Sequence, residues 1–246
     1  MNRPCIFIHY FMNLILIFSN DFIPGTSKVL LTGRRQAHVL DIHRAAVGDR
    51  LVVGVLDGKI GQGCITRLTT DALEMDVVLQ ADPPSKIPVV LCVAMMRPIV
   101  FKRVLLTAVT MGVEAIHVFH SKRVEKSFWK CTALLPEEIR DQLILGLEQA
   151  KDTVMPQVVL HQKFKPFVED VMPSILCGRQ GIVADPSGSG VEIFKDPKVL
   201  VVGPEGGFIP YELDKFHEAG CVVFGLGPRI LRVETAVTSL LSRLSS

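Results

Sequence analysis

The sequence predicts an α/β protein in two parts, a small β-barrel followed by a larger domain built on a mostly parallel sheet. Three observations carry that prediction. Residues 12–80 hold short apolar runs separated by closely spaced turn signals. Residues 81–88, ADPPSKIP, place three prolines where neither a sheet nor a helix continues. Beyond them, apolar runs of strand length alternate with stretches of helical period as far as residue 244. The expected division is a barrel domain over 1–80, a linker over 81–88 and the second domain over 89–246. A chain of 246 residues suffices for two cores of that size.

In chain order, MNLILIF (12–18) reads as the first buried strand. Met12 is a plausible start, which would leave residues 1–11 as an extension outside the fold. A small helix is expected over 34–45. LVVGVL, the pair Asp57-Gly58 and GQGCITRL then form a hairpin, because Asp-Gly suits a tight turn. ALEMDVVLQ adds a strand. After the linker, VVLCVAM is continuously apolar, as a strand covered on both faces must be. FKRVLLTAVTMG sets Val104, Leu105, Ala108 and Met111 on one helical face and stops at Gly112, a glycine suited to a helix C-terminus. AIHVF is the next strand. LPEEIRDQLILGLEQA opens on Pro136 with Glu137 and Glu138 near its N-terminus, and its buried stripe is Ile139, Leu143, Leu147 and Ala150. Further strands are expected at 157–160, 181–185, 199–203 and 221–225, with helices near 165–176, 210–219 and 233–244.

Composition narrows the function classes. A net charge of +2 neither requires nor forbids a nucleic-acid partner, so any such case rests on local patches. The six cysteines are scattered without a CxxC pair or histidines at ligand spacing, which argues against a metal site and a disulfide framework and for free thiols in a reducing cytoplasm. CIFIHYFMNLILIF (5–18) is too short to span a bilayer and contains His9 and Asn13, so no membrane anchor is expected.

In an open parallel sheet, ligands bind beyond the carboxyl ends of the strands. Three loops leave such ends: ADPSG (Ala184, Asp185, Pro186), GPEGGF (Gly203, Pro204, Glu205, Gly206, Gly207) and GLGPRILR (Leu226, Gly227, Arg229, Ile230, Leu231). Glycines there either make tight strand-to-helix turns or let a ligand approach the backbone. No phosphate-cradling GxxxxGK[ST] and no dinucleotide fingerprint is present, and Glu205 would repel a pyrophosphate. A ligand with a cationic centre fits better, and S-adenosyl-L-methionine, a sulfonium, is one.

GPEGGFIPYEL followed by LGPRILRVETA closely resembles the signature of the RsmE-type family, the 16S rRNA uracil-N3 methyltransferases of the SPOUT superfamily. TGRRQAHVLDIHRAAVGDRL resembles that family's PUA-like RNA-binding barrel, TAVTMGVEAIHVF its helix and strand, and LEQAKDTVMP its Glu-Gln helix end. The resemblance implies a trefoil-knotted SPOUT domain, a homodimer, S-adenosyl-L-methionine as methyl donor, and 16S rRNA of the small ribosomal subunit as substrate. The chain departs from the family where Ala150, Lys151 and Asp152 follow the Glu-Gln pair in place of an early arginine, and where Asp41 and His43 stand at positions commonly arginine.

Methylating the weakly acidic N3 of uracil requires the proton removed or the developing anion stabilised. Arg232 is the candidate stabiliser, and Glu234 either the base or the group that orients Arg232. Thr235 and Ala236 complete the expected cofactor set, with Glu205 bonding either a ligand amine or neighbouring amides. For RNA, the candidates are Arg34, Arg35, His38, His43 and Arg44 in the barrel, and Lys122, Arg123 and Lys126 beside Phe128 and Trp129, since cations track phosphates and aromatic rings stack on bases. Two rivals stand against this reading: a non-catalytic RNA-binding assembly factor, and a Rossmann-type nucleotide-dependent oxidoreductase.

Overall fold

Strand pairing divides the chain into two sheets. The computed structural model describes residues 14–40, 44–188 and 197–244; the expected extension over 1–11, the start of the first strand, and the candidate His43 with its neighbour Asp41 lie outside them. Two compact units result, one of residues up to Pro83 together with Lys151–Val154, the other of Pro84–Ala150 and Met155 onward.

Among the described residues the first unit holds five strands: β1 (Ile15–Ile17), β2 (Lys28–Leu31), β3 (Arg50–Val55), β4 (Ile60–Leu68) and β5 (Leu73–Ala81), in the order β1-β3-β4-β5-β2. Pairing is antiparallel except between β1 and β3. Alternation decides which face is inside. Val29 and Leu31, Leu51 and Val53, and Leu73, Met75 and Val77 recur at period two, and all join Ile15, Ile17, Val39 and Ile65 in one buried core. The hairpin at Asp57-Gly58 forms, but the left-handed residue is Asp57 (φ +56°) and not the glycine. Helix α1 covers Arg34–His38 and its turn continues through residues 39–40, while Arg44 adopts φ +49°, so no right-handed run reaches residue 45. The tetrapeptide Lys151–Val154 is built into this unit. Thr153 accepts the Asp57 N–H (2.9 Å), its hydroxyl donates to the Gly58 carbonyl (2.5 Å), and its methyl lies against Gly54.

The second unit holds β6 (Ile87–Ala94), β7 (Val113–Phe119), β8 (Gln157–His161), β9 (Gln180–Ala184), β10 (Lys198–Val202) and β11 (Cys221–Phe224), in the order β11-β9-β10-β6-β7-β8. Every pairing is parallel. The central β10 is buried at all five positions, and β6 over its last six, as strands covered on both faces require. Of the expected linker, Ala81 belongs to β5 and Ile87 and Pro88 to β6.

Helix α2 (Pro98–Thr110) starts three residues earlier than its apolar stripe suggests, because Pro98 suits the first turn, and it closes at Gly112 with φ +78°. It packs against α3 (Pro136–Ala150), where Gly146 lets Val109 approach, and against α7 (Val233–Leu244). The stretch expected as one helix over 165–176 is helical throughout Phe164–Leu176, running from α4 (Phe164–Pro166) through a π turn (Phe167–Val171) into α5 (Met172–Leu176). Pro166 and Pro173 remove two amide donors from it. Helix α6 (Pro210–Glu218) begins at Pro210 as expected. Among the described residues, no helix is long and apolar enough to cross a membrane.

Candidate functional site

The strand order brings the three glycine loops together. β10, β9 and β11 are neighbours and parallel, so GPEGGF, ADPSG and GLGPRILR all leave the same edge of the sheet. The loops after β9 and β11 touch directly, Asp185 N–H donating to the Phe224 carbonyl (3.0 Å). Between the loops lies a cavity of about 330 Å³. Of the fifteen residues expected to hold cofactor, it brings together all but Thr235, which is exposed beside Glu234 in a separate surface depression between α2 and α7.

The glycines in GPEGGF answer to different constraints. Gly203 lies under the Phe208 ring, where a Cβ would come within 3.2 Å of Cε2. Gly206 lies against the stem of Arg123, and Gly207 has φ +69°, a conformation that side chains disfavour. Pro204 accepts the Gly207 N–H at 2.8 Å, closing the turn. Phe208 in turn belongs to an aromatic cluster, with its ring 6.3 Å from Phe119 and 5.4 Å from Phe216. That cluster is a rigid floor for the turn.

A buried carboxylate fixes the far end of the loop. Glu212, 2% exposed, accepts the Ile209 N–H (3.0 Å), the Ser121 hydroxyl (3.1 Å) and the Lys122 N–H (2.8 Å). Its desolvation is thereby compensated. Glu205, the odd carboxylate of the sequence, is exposed, and its Oε1 accepts the Arg97 N–H at the start of α2 (3.1 Å). Bonding to a neighbouring loop's amide was one of its two expected roles.

The cavity wall carries two cations, Arg123 and Arg229, and two anions, Asp185 and Glu205, over an apolar lining that includes Val202, Phe208, Phe224 and Leu240. Balanced charge on apolar walls suits a zwitterionic ligand with a flat aromatic part. Among the described residues, no cluster of three or more His, Cys, Asp or Glu side chains is placed to hold a metal ion, and the five cysteines there are free thiols.

The expected catalytic pair is not inside this cavity. Arg232 is exposed, while its neighbours Leu231 and Val233 line the wall, so it stands at the rim. Glu234 faces α2, with its carboxylate 3.7 Å from the Arg103 guanidinium. Ile230, also at the rim, is 86% exposed, unusual for an isoleucine.

The expected RNA-binding residues scatter into different roles. Arg35 is held by the Asp21 carboxylate through two nitrogens (2.5 and 2.8 Å), donates to the Leu16 carbonyl and lies over the Phe18 ring. With a side chain only 13% exposed, it fastens the first unit. Arg34, His38 and Arg44 share α1 and the turn that follows it. Lys122 and Lys126 are exposed, Trp129 is anchored through Nε1 to His120 Nδ1 (2.9 Å), and Arg123 turns to the cavity. Sequence reasoning missed Arg123, Val202, Phe208, Phe224, Gly225, Val233 and Leu240 as lining residues. Arg123 follows β7 as GPEGGF follows β10, so the strand-end rule applied to every strand would have found it.

Residues 83–245 match the model of a family described as the RNA methyltransferase domain. The chain is 24% identical over 226 residues to ribosomal RNA small subunit methyltransferase E 1 of Borreliella burgdorferi, covering 92% of this chain and 94% of that one. It is 23% identical over 235 residues to ribosomal RNA small subunit methyltransferase E of Treponema pallidum, covering 92% and 87%. The crystal structure of a ribosomal RNA small subunit methyltransferase E from Neisseria gonorrhoeae, bound to S-adenosyl methionine, superposes with a TM-score of 0.75 at 21% identity, covering 94% of this chain and 95% of that one.

Proposed function

Because the chain belongs to the RNA methyltransferase domain family, we propose that it methylates N3 of a uridine in 16S rRNA of the small ribosomal subunit, with S-adenosyl-L-methionine as donor. The observation that carries this reading is the cavity formed by three loops at the carboxyl ends of β9, β10 and β11. S-adenosyl-L-methionine supplies an electrophilic methyl group from its sulfonium. The residues present fit it. Glycine backbone and Phe208 offer a surface for the adenine, Arg229 a partner for the carboxylate, and Asp185 or Glu205 one for the ammonium group.

In this reading Arg232, at the rim, sits over a uracil oxygen and stabilises the anion that forms as N3 loses its proton. Glu234 accepts that proton or holds Arg232 and Arg103 in place. The exposed Ile230 and Leu231 beside Arg232 call for a cover, and a second copy of this chain supplies it, making the working form a homodimer. The first unit is read as a PUA-like barrel that docks rRNA through Arg34, His38, His43 and Arg44, while Lys122 and Lys126 track phosphates from the second unit. The trefoil knot of SPOUT enzymes is expected in the second unit, and the cytoplasm is where this substrate lies. With the family established, the dinucleotide oxidoreductase has no supporting feature left.

Nucleoside mass spectrometry of small-subunit rRNA from a deletion strain tests the reading. Loss of 3-methyluridine, restored by the gene, is expected. Its persistence would remove the assigned substrate, and failure to bind S-adenosyl-L-methionine in calorimetry at high micromolar concentration would remove the donor.

A further inference from the structure

Arg123 stands where the chain leaves β7, and the segment it ends is fastened to the cavity loop at two points. Ser121 and Lys122 donate to buried Glu212, which also caps α6. One residue on, Arg123 Nη1 donates to the Gly206 carbonyl (2.5 Å). Its aliphatic stem covers Gly206 so closely that a Cβ there would stand 3.2 Å from Arg123 Cδ and 3.3 Å from its Cβ. Gly207, the next residue, takes the left-handed conformation that the Pro204–Gly207 turn needs. The cavity lining includes Arg123 together with this whole turn.

We infer that Arg123 is a positioning residue for the ligand loop: through Gly206 it holds the Pro204–Gly207 turn in the shape that forms one wall of the donor site. The inference deepens the proposed function and rests on the cavity being the donor site. A guanidinium donating to one carbonyl, with its stem packed on the same residue, restrains that peptide in position and in rotation. Gly206 has no positive φ, so the Arg123 stem, not backbone conformation, is what a side chain at 206 would meet.

Calorimetry with S-adenosyl-L-methionine, steady-state methyl transfer to small subunits, and amide hydrogen exchange test this on wild type, Arg123→Ala, Arg123→Lys, Gly206→Ala and the Arg123→Ala/Gly206→Ala double variant. Arg123→Ala should weaken donor binding about tenfold and leave kcat at saturating donor within about threefold. Arg123→Lys, which keeps the stem and a donor, should recover part of the loss. Gly206→Ala should weaken binding alone yet add little once the stem is gone, a non-additive pair. Amides of residues 205–208 should exchange faster in Arg123→Ala, with the rest of the second unit unchanged. Wild-type donor affinity in Arg123→Ala, or additive effects in the double variant, would overturn the inference and return Arg123 to the RNA surface. If wild type itself binds no donor, the proposed function fails in that arm, and the exchange arm still decides the clamp: unchanged exchange at 205–208 overturns it.

Discussion

The cavity loops and the basic surfaces were read from the same sequence by opposite kinds of signal. Glycines and prolines at strand ends constrain the backbone locally, and parallel pairing of β9, β10 and β11 then assembles the loops. A cluster of cations constrains little, because a long side chain finds its partner far along the chain. Arg35 lies next to Arg34 in sequence, yet its partner is Asp21, and Arg123 lies next to Lys122, yet it reaches Gly206. Backbone grammar locates a site; charge alone does not.

The largest expected effect falls at the cavity rim. Arg232→Ala should lower kcat about 100-fold or more with donor binding preserved; unchanged turnover would take Arg232 out of the chemistry. Gly225→Ala should follow. Its Cβ would stand 2.4 Å from the Gly188 carbonyl oxygen and 3.1 Å from that of Asp185, so two of the three loops must separate. Donor affinity measured by calorimetry should fall about thirtyfold, the equivalent of about 2 kcal/mol of overpacking.

On the other side of the comparison, Arg35→Ala should destabilise the first unit by about 3 kcal/mol, since it leaves the nearly buried Asp21 carboxylate with the Phe18 amide but without a cation. Thermal unfolding would report this, and donor affinity should not change. A loss of RNA binding at full stability would instead restore Arg35 to the RNA surface. Lys126→Ala, on the exposed basic segment, should weaken RNA binding about threefold and flatten its dependence on salt by about one unit of slope.

A smaller effect belongs to neither region. His117 Nδ1 and His161 Nε2 lie 2.9 Å apart beside Phe167, so one ring donates and the other accepts. Burial first, and His161 second, push His117 down to about 4, and burial also lowers His161. The unfolded chain therefore binds protons that the folded one refuses between about pH 6.5 and 4. Stability is full above that window and falls as the pH drops through it. The Tm should fall by about 3 °C from pH 7 to pH 5, and His117→Phe should make that slope shallower.

Much of the fold was legible because each element carries its own period or stop signal. β5 shows its alternation, β10 its continuous burial, and α2 its closing glycine. The π turn inside the helix at Phe164–Leu176 was less legible, because Leu, Met and Val keep a helical pattern across it. In the site, the loop residues were readable and the walls were not. Phe224 and Leu240 look like ordinary core residues in sequence, and only the register of β11 and the seating of α7 turn them toward the cavity.

The tetrapeptide after α3 has a consequence for how this protein can be taken apart. Asp152 is buried and its Oδ1 accepts the Thr153 and Val154 amides, while Thr153 closes the Asp57 hairpin. The first unit therefore borrows four residues from the middle of the chain, and the polypeptide crosses between the units three times rather than once. Cutting at the prolines of 81–88 does not yield an interchangeable cassette: an isolated segment ending at Pro83 lacks the plug for its own hairpin. A graft of this unit onto another enzyme would have to carry Lys151–Val154 with it, as a second splice.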